Sequence, residues 1–245
     1  MPIITRIRRD KVTAMPYVNL TDDAAEVFLG TAGAELDEHN PENRFGLSWL
    51  QEVNQAFDDA LASGKPIILT ATGKYFTNGL DTDYIAAEFA KLPGYLDTVH
   101  ALYTRVLTAP APVIAAVNGH AFGAGAMLTL CADYRIMRTE RGFWSLPEAA
   151  LNMPFTRGMA SLIRHRIPDA VATEAILTSQ RYDGDAAAAA GIVDEAVAVD
   201  DLLTRAHAVA AERAHLVGEN LSVIKRGFRL PLLEDLAVQT PPTLL

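Results

Sequence analysis

The chain has 245 residues, of which 50% are hydrophobic and 21% are charged. This length suits one large domain or two small ones, and so many apolar side chains exclude wholesale disorder. Thirty acidic against 21 basic residues give a net charge of −9. That charge would repel a phosphate backbone, so we expect no nucleic-acid partner. No apolar run approaches the length that crosses a bilayer, so we expect no membrane partner either.

Cysteine usage and the chain termini indicate a reducing compartment. The single Cys131 cannot form an internal disulfide, and its apolar surroundings in the sequence favour a buried structural thiol over a nucleophile. No Cys/His cluster has the spacing of zinc ligands, so no metal site is expected. The basic segment 1–11 lacks the apolar stretch of a signal peptide, and no peroxisomal signal ends the chain. Together these features predict a cytoplasmic, bacterial location.

The first half of the chain alternates short apolar strands with amphipathic helices. The predicted strands are Tyr17–Leu20, 25–29, 66–72, Val113–Val117 and 134–137, and the predicted helices are 45–62, 97–107 and 126–131. A loop rich in Gly, Asp, Glu and Asn is expected at 30–43. Because the strands are apolar throughout, the alternation predicts an α/β fold whose strands are covered on both faces.

The second half is predicted to be mostly helical. The predicted helices are 157–166, 169–177, 185–190, 201–213 and 221–228, with one short strand at 192–193. No linker rich in Pro, Gly or Ser divides the two halves. We therefore predict one continuous domain, with an α/β core over residues 1–195 and a helical C-terminal part over residues 196–245.

Two glycine-containing loops follow predicted buried strands. The first has the sequence FTNGLD (76–81) and the second GHAFGAGA (119–126). Ala124 begins a helix in the second loop, so its free N–H lies at the positive end of the helix dipole. Two such amides directed at one oxygen would form an oxyanion hole. The alternative is that both loops are only tight connections, and glycine spacing by itself favours that alternative.

Longer runs around these loops carry a family resemblance. The runs, in chain order, are ILTATGKYFTNGLDTD, APVIAAVNGHAFGAGAMLTLCADYRIM, FWSLPEAALNMPF and LTSQRYDGDAAAAAGIVDEAV. Their order and separations resemble the signatures of the enoyl-CoA hydratase/isomerase (crotonase) superfamily. The resemblance covers about residues 17–197 and is weakest before Asn43. Several motifs in one order are more specific than any single motif.

The resemblance implies a fold, a ligand and a reaction type. The fold would be a crotonase-like spiral of ββα units, with a helical C-terminal part that helps to build a homotrimer, often a hexamer. The ligand would be an acyl-CoA thioester, with CoA as part of the substrate and no separate cofactor. The shared chemistry would be an enolate-type anion held by two backbone amides, which fall by position on Leu80 and Ala124. Asp81 is then expected to shape the loop, and His120 to pack rather than carry protons.

Further residues are expected to contact the substrate. Arg44 lies where relatives often contact the CoA nucleotide, although a solvated arginine is equally compatible with the sequence. Lys225 and Arg226 are weaker candidates for phosphate contact, and the segment 84–94 is expected to line the acyl pocket. The predicted substrate-binding set is Asn78, Gly79, Asp81, Gly123, Met127 and Arg44.

The carboxylates distinguish the subfamilies. In hydratases that the chain resembles, two glutamates together activate water, and here the first position is Met127 while the second is Glu148, after Pro147. A thioether cannot accept a proton or orient water as a base. One carboxylate with an oxyanion hole is sufficient for a 1,3-proton shift, so the pattern is most like the enoyl-CoA delta-isomerase branch. Taken alone, Glu148 would more often cap a helix, and Met127 would only fill the core.

The sequence therefore predicts an enoyl-CoA delta-isomerase that moves a 3-enoyl-CoA double bond to the 2-position, in fatty-acid or related acyl-CoA metabolism. Glu148 would be the base, with the amides of Leu80 and Ala124 holding the dienolate oxygen. Three alternatives stay open: an enoyl-CoA hydratase, an acyl-CoA thioester hydrolase that uses Glu148, and a non-catalytic acyl-CoA-binding protein.

Overall fold

A computed structural model gives the structure of the protein, and it describes residues 15–32 and 42–244. The basic segment 1–11 and most of the loop predicted at 30–43 lie outside the described residues. Strands within the described ranges are Tyr17–Leu20 (β1), Ala25–Phe28 (β2), Ile67–Thr70 (β3), Tyr75–Thr77 (β4), Val113–Val117 (β5), His120–Phe122 (β6), Tyr134–Arg138 (β7), Trp144–Ser145 (β8), Arg181–Tyr182 (β9) and Glu195–Val197 (β10).

Helices pack around these strands and dominate the second half, as the sequence predicts. The α-helices are Leu47–Ala62 (α1), Thr82–Ala87 (α2), Leu92–Leu107 (α3), Ala124–Cys131 (α4), Arg157–Arg166 (α5), Asp169–Thr178 (α6), Gly184–Ala189 (α7), Val199–Arg213 (α8), Glu219–Phe228 (α9) and Leu230–Leu236 (α10), all within the described ranges. Short 3-10 helices lie at Phe89–Lys91 and Ala214–Leu216. Among the described residues, no helix combines the length and apolarity needed to cross a membrane.

The chain builds two sheets by visiting them alternately. In the described residues the larger sheet has the order β1-β2-β3-β5-β7-β10, and the smaller has the order β4-β6-β8-β9. β1–β2 and β8–β9 are antiparallel, and the other pairs are parallel. Three successive turns of the chain contribute one strand to each sheet and then a helix: β3-β4-α2, β5-β6-α4 and β7-β8-α5. The predicted α/β class and spiral of ββα units are confirmed.

The larger sheet is covered on both faces, as its apolar strands predict. On one face, α8 packs against alternate residues of the central strands, and the shared cluster includes Ile68, Ile114, Ile136, Leu202, Ala206 and Val209. The opposite face belongs to the main core, which holds residues of α1, α3 and α4. All eight residues of α4 are buried. Because α4 is enclosed, its N-terminus can hold a backbone amide in one orientation.

One element prediction is wrong, and one predicted helix is longer than expected. The strand predicted at 192–193 is instead a helix-ending turn: the amides of Ile192 and Val193 both donate to the carbonyl of Ala187, and Gly191 has a φ of +74°. The observed strand, β10, begins after this turn, at Glu195. The helix predicted at 97–107 begins earlier, at Leu92, because Pro93 has the φ angle of a first helical turn and needs no amide partner there.

The smaller sheet lies largely in segments predicted as loops. β4 and β6 have three residues each, too few to show strand periodicity, and they pair in parallel with Tyr75 opposite His120 and Thr77 opposite Ala121. β6 pairs in turn with β8, with Phe122 opposite Ser145. The carboxyl ends of these parallel strands therefore share one edge, and the loops after β4, β6 and β8 meet there.

Candidate active site

Among the described residues, the loop after β4 gives the amide of Leu80 no hydrogen-bond partner. The carbonyl of Gly79 accepts a hydrogen bond from the amide of Phe45 (2.8 Å). Because the Gly79–Leu80 peptide is trans, the Leu80 N–H points away from Phe45. Thr77 stabilises the turn, since its hydroxyl donates to the carbonyl of Asn43 (2.6 Å) and accepts from the Gly79 amide (3.0 Å).

The loop after β6 presents a second amide with no partner in the part of the chain that the structure describes. Ala124 is the first residue of α4, and the carbonyl of Gly123 accepts from the amide of Met127 (3.0 Å). The Ala124 N–H, in the same trans peptide, therefore points out of the helix N-terminus. Tyr103 holds this end of α4 because its hydroxyl donates to the carbonyl of Ala124 (2.7 Å).

The two loops are in backbone contact. Gly79 has a φ of +78°, and a Cβ built on it would lie 2.6 Å from the carbonyl oxygen of Phe122 and 2.9 Å from the nitrogen of Ala124. Any side chain at position 79 would push the loops apart. The site thus brings the two free amides, 44 residues apart in the chain, to one place.

Glu148 faces these loops from the turn after β8. Its side chain is buried, with the residue 9% exposed, and its Oε2 has no hydrogen-bond partner within the described part of the chain. Burial raises the pKa of Glu148 from 4.5 to about 7, because an apolar environment disfavours the charged form. The carboxyl group is therefore poised between its two protonation states near neutral pH.

A pocket of about 400 Å³, part of it open to solvent, lies in front of the carboxyl group. Its walls are mostly apolar and are formed by Leu80, Leu92, Leu96, Met127, Glu148, Met153, Pro154, Thr156, Met159 and Leu244. Leu80, Met127 and Glu148 are thus three predicted site residues on one pocket. Leu92 comes from the segment 84–94 predicted to line it. An apolar cavity with a few polar groups is the usual form of a small-molecule site.

Other predicted residues lie around the pocket rather than on its walls. Asn78 is held by Glu42, whose carboxylate accepts from the Asn78 side-chain amide (2.8 Å). Arg44 donates to the same carboxylate (2.6 Å) and to the hydroxyl of Thr82 (3.0 Å). Asp81 caps α2 by accepting from two backbone amides, which fits its predicted role in shaping the loop.

Two further expectations can be compared with the structure. His120 packs among aromatic rings, and its Nδ1 accepts from the amide of Phe143 (3.1 Å), as expected for a packing residue. Burial also lowers the pKa of His120. The expectation for Lys225 is wrong, because its ammonium group is buried and donates to the carbonyl of Ala111 and the carboxylate of Asp133.

Sequence reasoning missed several residues that support the site. Tyr95 accepts from the amide of Asp81 and donates to the carbonyl of Phe45, both at 2.9 Å, which fixes the loop that carries Leu80. The Oγ1 of Thr156, on the pocket wall, lies 2.7 Å from Nε2 of the buried His100. The helical spacing of the apolar residues in 92–107 places Tyr95 and Tyr103 on the buried face of α3. It does not show which backbone groups their hydroxyls bond.

The architecture and the pocket together define the class. The spiral of ββα units is the crotonase fold: it matches the crystal structure of an enoyl-CoA hydratase/isomerase family protein from Pseudomonas syringae with a TM-score of 0.81 and 26% identity, covering 91% of this chain and 93% of that one. A sequence model described as enoyl-CoA hydratase/isomerase matches residues 30–239. The chain therefore belongs to the enoyl-CoA hydratase/isomerase family, and it is a crotonase-type acyl-CoA enzyme.

Relatives within the family carry different activities in their names. An Arabidopsis thaliana protein named enoyl-CoA delta isomerase 3 is 30% identical over 176 residues, 70% of this chain and 73% of that protein. A probable enoyl-CoA hydratase of Rhodobacter capsulatus is also 30% identical, over 215 residues, 87% of this chain and 83% of that protein. Identity at this level does not separate the two reactions.

In the described residues no group of three or more His, Cys, Asp or Glu side chains is arranged to hold a metal ion.

Proposed function

We propose that the protein is an enoyl-CoA delta-isomerase, which converts 3-enoyl-CoA thioesters to 2-enoyl-CoA thioesters. The observation that carries the proposal is the composition of the pocket wall. Among the described residues that line it, Glu148 is the one carboxylate, and Met127 stands where a hydratase of this family would have its other glutamate. A lone base suits a proton shift within one molecule better than the activation of water.

The reaction would proceed in two proton transfers. The Glu148 carboxylate takes a proton from C2 of the 3-enoyl thioester, and the electron pair moves to the carbonyl oxygen to form a dienolate. The amides of Leu80 and Ala124 donate hydrogen bonds to that oxygen, and each such donor typically accounts for about 2.7–4 kcal/mol of barrier lowering. The Glu148 carboxylic acid then returns the proton to C4, which leaves the double bond between C2 and C3.

The surroundings of Glu148 favour this use of one group as base and then acid. A pKa of about 7 makes the carboxylate a stronger base than an exposed glutamate and the carboxylic acid a weaker acid. A general catalyst works best when its pKa lies near the working pH. Apolar side chains such as Met127 and Met159 offer water no strong hydrogen-bond partner and so disfavour its addition to the 2-enoyl product.

The different activities in the names of the relatives leave hydration as the second candidate. It is favoured by the probable hydratase of Rhodobacter capsulatus, which aligns over more of this chain than the Arabidopsis isomerase does. The test is to offer the purified protein 3-hexenoyl-CoA and, separately, 2-hexenoyl-CoA, and to separate the products by chromatography. Conversion of the 3-enoyl to the 2-enoyl thioester with little 3-hydroxy product supports isomerisation. Efficient hydration of the 2-enoyl thioester would contradict the proposal.

The trimer or hexamer implied by the family resemblance is also a proposal. It is supported by apolar side chains that the C-terminal helices leave exposed, Val223, Ile224, Phe228 and Leu230, of which Phe228 is 81% exposed. Exposed apolar groups of this size are common at subunit contacts. Light scattering on the eluting protein should give three or six times 26.5 kDa, and a monomer mass would contradict the proposal.

A further inference from the structure

The C-terminal segment 240–244 returns to the pocket. Leu244 is one of the residues that line it, although the other lining residues end at Met159. Leu244 is half-buried and packs against the main core, whereas Pro241, Pro242 and Thr243 before it are exposed. The segment therefore crosses the surface and turns one apolar side chain inward.

Thr240 anchors this segment to α3. Its backbone amide and its hydroxyl both donate to Oδ1 of Asp97, at 2.9 and 2.7 Å, and Thr240 itself is buried. Asp97 follows Leu96, and Leu96 lies one helical turn after Leu92; both leucines line the pocket. The anchor is thus on the same stretch of helix that forms a wall of the pocket.

The three residues between Thr240 and Leu244 leave the Leu244 backbone little freedom. The rings of Pro241 and Pro242 restrict their φ angles to about −65°. The amide of Leu244 donates to the carbonyl of Pro241 (3.2 Å), which closes a turn. A short turn on a doubly hydrogen-bonded anchor holds the Leu244 side chain against the pocket at little entropic cost.

We propose that Leu244 determines the length of the acyl chain that the pocket accepts. The inference rests on the proposed function only in that the ligand is an acyl-CoA thioester. The pocket volume of about 400 Å³ includes space open to solvent, and Leu244 forms part of the pocket wall. A growing acyl chain would fill this space and then meet the leucine side chain that segment 240–244 holds in place.

Saturated acyl-CoA thioesters test the inference by binding alone. We would measure dissociation constants for butyryl-, hexanoyl-, octanoyl-, decanoyl- and dodecanoyl-CoA by calorimetry. Each methylene that enters the pocket should tighten binding about fourfold, and the gain should stop at the chain length that meets residue 244. Leu244→Ala should move this limit to chains at least two carbons longer, and Leu244→Trp to chains at least two carbons shorter.

Two further variants separate this role from a general effect on packing. Leu177→Ala truncates a leucine that is 72% exposed on α6, away from the pocket lining, and should leave the limit unchanged. Thr240→Val removes the hydroxyl bond to Asp97 and should move the limit in the same direction as Leu244→Ala, by a smaller amount.

The outcomes distinguish this inference from the proposed function. An identical length limit in wild type, Leu244→Ala and Leu244→Trp overturns the inference, whatever the isomerase activity. A wild-type series without any limit overturns it as well. If the limit moves as predicted while 3-hexenoyl-CoA is not converted, the inference stands and the isomerase proposal fails. A wild-type protein that binds no acyl-CoA overturns both.

Discussion

The carboxyl group of Glu148 lies so close to Gly123 that a Cβ built on residue 123 would be 3.0 Å from Oε1. Gly123 also has a φ of +53°, a backbone conformation that residues other than glycine rarely adopt. The residue before the free amide of Ala124 thus packs directly on the only carboxylate among the described pocket residues. Base and amide are held in one arrangement because nothing but backbone separates them.

The contact between the two loops predicts a strong effect of Gly79→Ala. The added methyl group would lie under 3.0 Å from Phe122 and Ala124 and would displace the Leu80 amide. We expect isomerase activity to fall about 10²–10³-fold, the usual effect of losing one oxyanion donor. Activity on 3-hexenoyl-CoA is the measurement.

Gly64→Ala is the matched control for this variant. Gly64 also has a positive φ, +68°, but a Cβ there would meet nothing within 4 Å. It should therefore lose about 1–2 kcal/mol of stability from backbone strain and keep its activity. Equal activity losses in the two variants would mean that strain, and not the loop contact, is responsible.

Glu148→Gln should abolish most of the isomerase activity. The amide fills the same space but cannot take a proton, and loss of a general base typically slows a reaction about 10²–10⁴-fold. Glu174→Gln, on the exposed surface of α6, is the control and should retain full activity. A Glu148→Gln protein with wild-type kcat on 3-hexenoyl-CoA would remove Glu148 from the mechanism.

The raised pKa of Glu148 predicts the pH dependence of activity. The reaction needs the carboxylate form, so kcat/KM should be level above about pH 7 and fall about tenfold per pH unit below it. His100, the buried histidine next to the pocket, has its pKa lowered by burial and is not expected to produce this change. Rates between pH 5 and 9 measure this dependence, and a profile that stays level down to pH 5 would contradict the assignment.

The same pKa predicts a pH-dependent stability difference. Glu148 ionises near 4.5 when unfolded but near 7 when folded, so its ionisation favours the unfolded chain as pH rises. Below pH 4.5 the ionisation of Glu148 does not lower the free energy of unfolding. Between pH 4.5 and 7 it lowers the free energy of unfolding by about 3 kcal/mol. Urea unfolding should therefore show Glu148→Gln gaining stability over wild type between pH 5 and 8. A constant difference between the two proteins would count against the buried carboxyl group.

Substitution of Met127 tests whether a second carboxylate on the pocket wall would favour hydration. Met127→Glu would place a second carboxylate on the pocket wall, and we expect hydration of 2-hexenoyl-CoA to rise at least about tenfold, since general bases commonly supply 10²–10⁴-fold. Isomerisation should fall, because a second buried charge disfavours the ionised form of Glu148.

Met127→Leu controls for the loss of the methionine itself. The swap conserves volume and typically changes stability by less than about 1.5 kcal/mol. It should keep isomerisation within a few-fold and add no hydration. A folded Met127→Glu protein with no gain in hydration would show that the site lacks room or orientation for water.

Much of the molecule follows from local sequence patterns. The apolar strands, the amphipathic α1 and the strand–helix alternation predicted the α/β class because periodicity is a local property. The glycines at 79 and 123 were also readable, because residue type alone limits backbone shape. The family resemblance pointed to Met127 at a position where hydratases carry a glutamate, and a thioether cannot transfer protons.

Tertiary structure decided what those residues face. β4 and β6 are too short to show a period, and only their pairing brings the amides of Leu80 and Ala124 together. The pKa of Glu148 depends on burial by side chains from α3, α4 and α5, which no local pattern encodes. Leu244 meets the pocket because Thr240 binds Asp97, 143 residues earlier in the chain. Contacts between distant segments arise only in the packed chain, so the pocket's shape and the ionisation of its base could not be read from sequence.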